Sequence, residues 1–438
     1  MKKTKISKSF LILSLLLSFF SFNLHAEDAF FENNEQVQIF NSAVMLYNSA
    51  QYSEAVTAIN QLLEQNTNIA QAYNLRGNAY FSLAKYDLAI ADFTTAINMN
   101  KAFAEAYQSR AETYRSQKKY DLALNDMNIL IELRPENSNF YFNRGIILRE
   151  ANDLANSFSD FSKSIALNPK NTNALLARAD VLYILEDFNQ AKLDLDAAIQ
   201  LNINAVDAYK LRGIINYRLK RYDEAINDYN AALRLEPKET SVYYYRGLTY
   251  LEQEKHLNAL ADFSEAIKRG FTADNNIYYN RAVVNYYLDE LDLAIADLNI
   301  FLRNRQEIYA FDLRGNIYYK QRKYDLAIAD FTKIILAEPQ RVGAIRNRGN
   351  SYYNLEKYDL AIADFTKAIN LEPNNASLYH NRANCYRNMN MYSEAIADCK
   401  KFITVARNTV EYSHYISDVE KEIEFLEYKL RESQTGQP

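Results

Sequence analysis

The segment NRGNSYYNLEKYDLAIADFTKAINLEPNN, residues 347–375, decides the fold of this 438-residue chain. It contains two amphipathic stretches in which apolar residues recur every three or four positions, separated by a short polar turn. Arg348 stands directly before a glycine, among residues whose spacing predicts burial. Because the same pairing of an arginine with a small residue returns along most of the chain, the segment is one copy of a repeat.

The repeat is 34 residues long, with one step of 35 and one of 33. The small residue, glycine or alanine, is position 8 of each repeat and falls at Ala43, Gly77, Ala111, Gly145, Ala179, Gly213, Gly247, Ala282, Gly315, Gly349 and Ala383. The eleven repeats are residues 36–69, 70–103, 104–137, 138–171, 172–205, 206–239, 240–274, 275–307, 308–341, 342–375 and 376–409.

Each repeat is predicted to form a helical hairpin. Positions 4, 8 and 11 form one apolar stripe and positions 20, 24 and 27 another. We expect the small residue at position 8 to face the alanine at position 20, and the aspartate common at position 18 to cap the second helix. Proline at position 32 ends that helix in five repeats. A single hairpin cannot bury its apolar face, so the hairpins must stack into an all-α solenoid.

This pattern closely resembles the tetratricopeptide repeat family, whose repeats carry a small residue at position 8, alanine at 20, an aromatic residue at 24 and proline at 32. The resemblance covers residues 36–409 and recurs eleven times. It implies a right-handed superhelix whose first helices line a concave groove, and a role in holding other proteins. Side chains at positions 2, 5, 9 and 12 are those that line the groove in the family.

An arginine at position 7 accompanies an aspartate at position 23 in the same ten repeats. The first repeat has Ser42 and Ala58 and lacks both. This joint loss predicts that the two side chains depend on one another, and pairing within a repeat leaves no charge unmatched. Arg76 with Asp92 and Arg348 with Asp364 are examples. The alternative is a ladder of arginines that binds anions; we favour the buried ion pair, because a charge in an apolar stripe needs a partner.

The groove positions carry aromatic and amide side chains that suit an extended polypeptide ligand, since rings offer stacking area and amides can bond a peptide backbone. Each tyrosine could instead pack between helices. The candidate groove residues are Asn78, Phe81, Phe142, Tyr183, Tyr217, Tyr279, Tyr286, Asn316, Tyr319, Asn350, Tyr353 and Asn384.

The N-terminal 26 residues have the pattern of a secretory signal peptide: four lysines, an apolar run from Phe10 to Phe22 and a polar stretch ending at Ala26. Cleavage there predicts a periplasmic or secreted protein that keeps no membrane span; an uncleaved anchor is the alternative. Residues 27–35 form an N-terminal segment. Residues 410–430 are amphipathic without the repeat signature and predict a capping helix, and residues 431–438 a disordered tail.

Removing residues 1–26 takes the net charge from −5 to −9, because this segment contains four lysines and no acidic residue. An acidic chain argues against nucleic acid as a partner. We find no phosphate-binding glycine loop, nucleophile motif or metal-ligand spacing, and therefore expect no cofactor, no metal and no enzymatic activity. Cys385 and Cys399, the two cysteines, are either a disulfide or buried free thiols; the packed positions favour free thiols.

The sequence therefore predicts an exported scaffold that binds a protein or peptide partner, with an extended polypeptide in the groove. The alternative is an accessory or regulatory subunit of an envelope enzyme or of a secretion or assembly complex, acting through the convex face or the cap. The 35-residue and 33-residue steps, around residues 268–276, predict one longer loop and one shorter loop.

Overall fold

A computed structural model describes residues 31–271, 273–303, 305–407 and 412–435, and the regular secondary structure of this part of the chain is entirely helical. It contains 23 α-helices, one short 3-10 turn and no β-strand. The all-α solenoid of consecutive helix pairs predicted from the repeat is thus confirmed. The expected signal peptide, and residues 27–30 of the N-terminal segment, lie outside the described residues.

The chain divides into two compact units, residues 1–242 and 243–438. The helices of the first unit are α1 (Asn34–Asn48), α2 (Tyr52–Gln65), α3 (Ala70–Ser82), α4 (Tyr86–Met99), α5 (Ala104–Ser116), α6 (Tyr120–Leu133), α7 (Ser138–Glu150), α8 (Leu154–Leu167), α9 (Thr172–Ile184), α10 (Phe188–Leu201), α11 (Val206–Arg218) and α12 (Tyr222–Leu235). Helix α13 (Thr240–Glu252) begins at the end of this unit.

The helices of the second unit are α14 (His256–Lys268), α15 (Asn276–Tyr287), α16 (Leu291–Leu302), α17 (Ile308–Lys320), α18 (Tyr324–Ala337), α19 (Val342–Asn354), α20 (Tyr358–Leu371), α21 (Ala376–Asn388), α22 (Tyr392–Ala406) and α23 (Ile416–Thr435). Each repeat contributes an odd-numbered first helix and an even-numbered second helix. Within each compact unit the two helices of a repeat pack together, and a second helix also packs against the following first helix.

The turn inside each repeat has the same backbone geometry. Position 15 adopts a left-handed conformation, with φ between 56° and 64°, although none of the eleven residues is glycine. After Glu356, for example, the Lys357 N–H donates to the Tyr352 carbonyl at 3.0 Å and closes the end of α19.

The second helices begin two residues earlier than the expected aspartate cap requires. The N-cap of each second helix is position 16, and the aspartate at position 18 lies in the first turn. Its negative charge there interacts favourably with the positive end of the helix dipole. Side-chain capping occurs where position 16 is itself aspartate: Asp153 accepts from the Asn156 N–H and Asp187 from the Gln190 N–H.

The small residue at position 8 makes room for the side chain at position 24. A Cβ on Gly77 would lie 2.6 Å from Phe93 Cε1, so the nearest neighbour is the ring and not the alanine we expected. All six repeats with an aromatic residue at position 24 have glycine at position 8. The five repeats with alanine at position 8 carry a smaller side chain at position 24, namely Ile59, Met127, Leu195, Leu298 or Cys399. The side chains at positions 8 and 24 of a repeat therefore fill one shared space of fixed volume.

Each arginine at position 7 lies against the aspartate of its own repeat. Arg348 donates from Nε and Nη2 to the two carboxylate oxygens of Asp364, at 2.8 and 2.7 Å, and Arg76 binds Asp92 in the same way. The pair is largely buried: the Arg348 side chain is 19% exposed and that of Asp364 7%. The hydrogen bond to Asp364 raises the pKa of Arg348, so the guanidinium stays charged.

The remaining guanidinium nitrogen reaches back to the preceding repeat. Arg348 Nη1 donates to Thr332 Oγ1 at 3.2 Å, and Arg76 Nη1 donates to Asn60 Oδ1 at 2.7 Å. The acceptor is position 25 of the preceding repeat, and the same bond links arginines to Thr94, Asn128, Ser162, Asp196, Ser264, Asn299 and Thr366. One side chain thus joins the two helices of a hairpin and ties that hairpin to its neighbour.

The irregular steps alter one loop and one helix. The link between α14 and α15 is seven residues long, because α14 ends at Lys268 and α15 begins at Asn276; Phe271 from this link stacks on Tyr244 at 4.9 Å. The following 33-residue repeat was expected to have a shorter loop. It instead has a shorter second helix, since α16 spans 12 residues where α18 spans 14.

Helix α23 covers the last repeat but has different bounds from those predicted for the cap. After the 3-10 turn Ser413–Tyr415 it begins at Ile416, and it continues through Thr435 instead of ending at residue 430. Val419, Ile423 and Leu426 are buried in the same core cluster as Phe402 of α22. Residues 416–435 include no glycine or proline, so the expected tail, residues 431–438, is helical as far as it is described.

Cys385 and Cys399 are free and fully buried. Burial raises the pKa of each thiol to about 12, so both stay protonated at neutral pH. Among the helices of the described residues, none combines the length and hydropathy needed to cross a membrane.

We predict that Arg348→Ala lowers the free energy of unfolding by about 3 kcal/mol, because it leaves the Asp364 carboxylate buried without a partner. The double variant Arg348→Ala/Asp364→Ala should lose less than the two single variants combined. Chemical denaturation followed by circular dichroism measures both. Arg346→Ala, two residues away and outside the ion pair, is the control; equal losses for Arg346→Ala and Arg348→Ala would contradict the assignment.

We also predict that Gly77→Ala destabilises its hairpin by about 1–3 kcal/mol through overpacking against Phe93, even though alanine favours a helix. Gly77→Ala/Phe93→Leu should recover stability, because Ala179 with Leu195 already forms this combination in another repeat. The reciprocal Ala179→Gly should cost only about 1 kcal/mol of helix propensity. Thermal denaturation compares the variants, and a double variant no more stable than Gly77→Ala would disprove the shared volume.

Candidate functional site

First helices of neighbouring repeats contact one another directly within each compact unit and form a shared surface. In the first unit α1 contacts α3, α3 contacts α5, α7 contacts α9 and α9 contacts α11; in the second α17 contacts α19 and α19 contacts α21. We call this surface the first-helix face. It carries positions 2, 5, 6, 9, 12 and 13 of the repeats, which include the groove residues predicted from the sequence.

In the second unit, asparagine side chains form a row across α17, α19 and α21. Asn316 Oδ1 accepts from Asn347 Nδ2 at 3.0 Å, and Asn350 Oδ1 accepts from Asn381 Nδ2 at 3.2 Å. Asn384 continues the row, is half-buried, and its amide has no hydrogen-bond partner among the described residues. We call these five residues the amide row; three of them, Asn316, Asn350 and Asn384, are predicted groove residues.

A second row runs beside the amides and joins tyrosine hydroxyls to asparagines of the next repeat. Asn354 Nδ2 donates to the Tyr319 hydroxyl at 3.1 Å, and Asn388 Nδ2 donates to the Tyr353 hydroxyl at 3.0 Å. Both tyrosines are half-buried, whereas both asparagines are exposed. The predicted groove residues Tyr319 and Tyr353 therefore link neighbouring repeats and still present their polar ends at the surface.

The face is open next to the amide row. Gly343, at position 2 of α19, is exposed, and a Cβ added there would have no heavy atom within 4 Å. Position 5 of the three repeats carries Asp312, Arg346 and His380. Burial raises the pKa of Asp312, an effect opposed by Arg341, and Arg346 Nε donates to Asn347 Oδ1 at 3.4 Å. The face is polar and carries both signs of charge.

Two other predicted groove residues of this unit are held in local ring contacts. Tyr279 packs against Phe301 and Tyr309, at centroid distances of 5.6 and 4.7 Å. Burial raises the pKa of Tyr309 to about 12. Tyr286 contacts the Tyr287 ring at 5.9 Å and has the Lys320 ammonium 5.7 Å from its centroid.

In the first unit, the predicted groove residues pack within the solenoid. Asn78 is only 2% exposed, and Phe142 is buried with its ring 5.9 Å from that of Phe161. Aromatic residues at position 12 pack in a tilted arrangement against the ring at position 17 of the same repeat, with centroids 5.7–6.0 Å apart, in the pairs Phe81–Tyr86, Tyr183–Phe188 and Tyr217–Tyr222. Most of these side chains therefore contribute packing to this unit.

Ionic contacts that the sequence analysis missed occupy the same face of the first unit. Arg115 at position 12 binds Glu112 and reaches Glu150 at 2.6 Å, while Arg149 at position 12 of the next repeat binds Asp180. Both arginine side chains are 9% exposed, and burial raises the pKa of Asp180. The signal was present in the sequence: these two repeats replace the usual aromatic residue at position 12 with arginine.

The position 25 acceptors of the arginines were also missed. In each of the ten repeats that are followed by a repeat with the arginine, position 25 is a short polar residue. In the last repeat, which no further repeat follows, position 25 is Lys400.

Across the described residues, no cluster of three or more His, Cys, Asp or Glu side chains is arranged to hold a metal ion.

Models of the tetratricopeptide repeat family match residues 70–103, 109–172, 215–254, 308–341, 344–375 and 365–397. Together these segments cover about half of the chain and both compact units. Among curated proteins, no sequence matches the chain.

Several solved structures have similar folds at low sequence identity. A tetratricopeptide repeat protein from Parabacteroides merdae is 17% identical over 57% of this chain and 99% of its own length, with a TM-score of 0.46. The C-terminal part of a TPR repeat-containing protein from Cytophaga hutchinsonii is also 17% identical, over 55% of this chain and 98% of its own, with a TM-score of 0.46. YrrB, described as a TPR protein with an unusual peptide-binding site, is 23% identical over 45% of this chain and 97% of its own, with a TM-score of 0.37.

Two of the matched segments, 70–103 and 308–341, coincide with 34-residue repeats, and both fold as the expected helix pairs. The chain belongs to the tetratricopeptide repeat family.

Proposed function

We propose that this protein is a scaffold that binds an extended segment of another polypeptide on the first-helix face of α17, α19 and α21. Repeats of this family generally bind proteins or peptides. The observation that carries the proposal is the amide row, which ends at the unpartnered side chain of Asn384, together with the open position at Gly343 on α19.

The chemistry of the row suits a peptide backbone. Each asparagine side chain has a carbonyl that accepts and an amino group that donates, and an extended backbone offers both complements. The bonds within the row are between partly exposed neutral groups, so exchanging one for a bond to a ligand changes the free energy little. The hydroxyls of Tyr319 and Tyr353 add donors along the same path.

The first unit is a poorer candidate for this role. On its first-helix face Arg115 and Arg149 are buried in ion pairs, and Asn78 and Phe142 are nearly inaccessible. Binding there would have to break buried ionic contacts, which is strongly unfavourable. We therefore assign the peptide-binding role to the second unit.

A second candidate is docking through the second helices, as expected for a subunit of an envelope enzyme or of a secretion or assembly complex. Leu293, Leu326 and Leu360 occupy position 19 of three consecutive repeats and are 55%, 48% and 49% exposed. Because these leucine side chains are about half exposed and recur at the same position of each repeat, they are suited to contact an apolar surface of a partner.

We infer that the protein acts outside the cytoplasm, in the periplasm or as a secreted protein, with no catalytic activity of its own. The inference about location is supported by the lysine-rich and apolar N-terminal sequence ending at Ala26. An intact-mass measurement of the protein recovered from the cell envelope should show a chain that begins at Glu27. A chain that still starts at Met1 would refute cleavage.

The binding proposal is tested by a photo-crosslinking amino acid placed at position 343 in the native cell, with position 360 as the matched site on the second-helix face. We expect a crosslinked partner from position 343, and a peptide covering its crosslinked segment should bind the purified protein. Asn350→Ala/Asn384→Ala should weaken that binding about tenfold or more, because each lost hydrogen bond contributes about 1 kcal/mol. Gly343→Trp should block it sterically.

Leu326→Glu/Leu360→Glu is the control for the second-helix face and should leave peptide affinity unchanged in a fluorescence anisotropy titration. Crosslinks that arise only from position 360, together with loss of partner binding in the leucine variant, would favour the second candidate. Unchanged affinity in both the amide and the tryptophan variants would refute binding at the first-helix face.

A further inference from the structure

Helix α23 carries a second apolar stripe on the side that faces away from the solenoid. Val419, Ile423 and Leu426 are buried, whereas Phe425 and Tyr428 are 53% and 55% exposed. Lys421 and Glu432 lie on the same side as these rings, because steps of four, three and four residues keep side chains on one face of an α-helix. We call Lys421, Phe425, Tyr428 and Glu432 the outer stripe.

The outer stripe is complementary to itself when a second copy runs antiparallel. If Phe425 of one chain lies opposite Tyr428 of the other, the same register places Lys421 opposite Glu432 on both sides of the twofold axis. The flanking residue Glu424 then lies beside Arg431 of the second copy. Two aromatic contacts at the centre are thus enclosed by pairs of opposite charge.

A parallel arrangement lacks this complementarity. It would place Lys421 against Lys421 and Glu432 against Glu432, which is repulsive. Along the helix, Lys421 lies 3.6 Å from Asp418, and Lys429 lies 2.6 Å from Glu432. Surface ion pairs along a single helix contribute little, so they do not oppose a new partner.

We propose that α23 pairs antiparallel with α23 of a second copy of this chain through the outer stripe and forms a symmetric dimer. The contact is isologous, which is the usual geometry of homodimers. It involves two large apolar side chains per chain, a small area compared with permanent dimers, so the association is weak and depends on protein concentration. The proposal is independent of the peptide-binding proposal, because the first-helix face takes no part in it.

The test is sedimentation equilibrium of the mature full-length protein over a concentration series. The wild type should shift from monomer to dimer as concentration rises. Phe425→Ala/Tyr428→Ala should stay monomeric, whereas Leu360→Ala, which removes a similarly exposed side chain elsewhere, should dimerise like the wild type. Circular dichroism verifies that each variant keeps its helical content. A wild type that remains monomeric, or a dimer unaffected by Phe425→Ala/Tyr428→Ala, overturns the proposal.

Charge exchange tests the antiparallel register separately. Lys421→Glu and Glu432→Lys should each raise the dimer dissociation constant about tenfold, since symmetry turns two attractive pairs into two repulsive ones. The combined variant Lys421→Glu/Glu432→Lys restores both pairs and should dimerise like the wild type. If the combined variant is as weak as the single variants, the antiparallel register is wrong.

Discussion

The hydrogen bonds of the arginine guanidinium at position 7 are the interaction on which the rest of the structure depends. Its Nε and Nη2 groups bind the aspartate of the same repeat, and its Nη1 group binds position 25 of the repeat before. A lysine could not replace it, because a single ammonium lacks three donors in a fixed planar arrangement. One buried side chain thus sets the angle within a hairpin and the register between hairpins, and it does so with directional bonds that apolar packing does not provide.

The irregular steps show how strictly this geometry is kept. The arginine and its aspartate are 16 residues apart in every pair, including Arg281 with Asp297. The distance along the chain to the acceptor in the preceding repeat changes to 17 residues for Ser264 and 15 for Asn299, yet both bonds form, at 3.4 and 2.6 Å. The insertion is absorbed by the link before α15 and the deletion by the end of α16. Chain length therefore varies only in segments that contain neither the arginine nor its acceptors, and both bonds of the arginine are kept.

Much of this could be read from the sequence because the repeat supplies its own comparisons. The loss of both charges in the first repeat predicted the pairing of arginine with aspartate, and Lys400 could have identified the position 25 acceptors in the same way. The first-helix face was harder to predict. A tyrosine such as Tyr353 satisfies an apolar pattern and also bonds Asn388 of the next repeat, and only coordinates distinguish these roles. The buried ion pairs of Arg115 and Arg149 depend on neighbours one repeat away, which periodicity within a repeat does not reveal.

Because positions 7, 8, 23, 24 and 25 secure packing, other positions of the first-helix face, such as position 9, can differ between repeats without loss of the fold. Position 9 is glutamate in Glu112, aspartate in Asp180 and asparagine in Asn350. In the first unit this freedom produces buried ion pairs, which resist opening, and in the second it produces neutral amides that can exchange partners with a ligand. The outer side of α23 also lies outside the packing contacts of the repeats. It carries aromatic residues, whereas the outer face of a capping helix at the end of a solenoid is usually polar. The two surfaces that we propose bind partners, the amide row and the outer stripe, are therefore both surfaces whose residues are not needed for packing of the repeats.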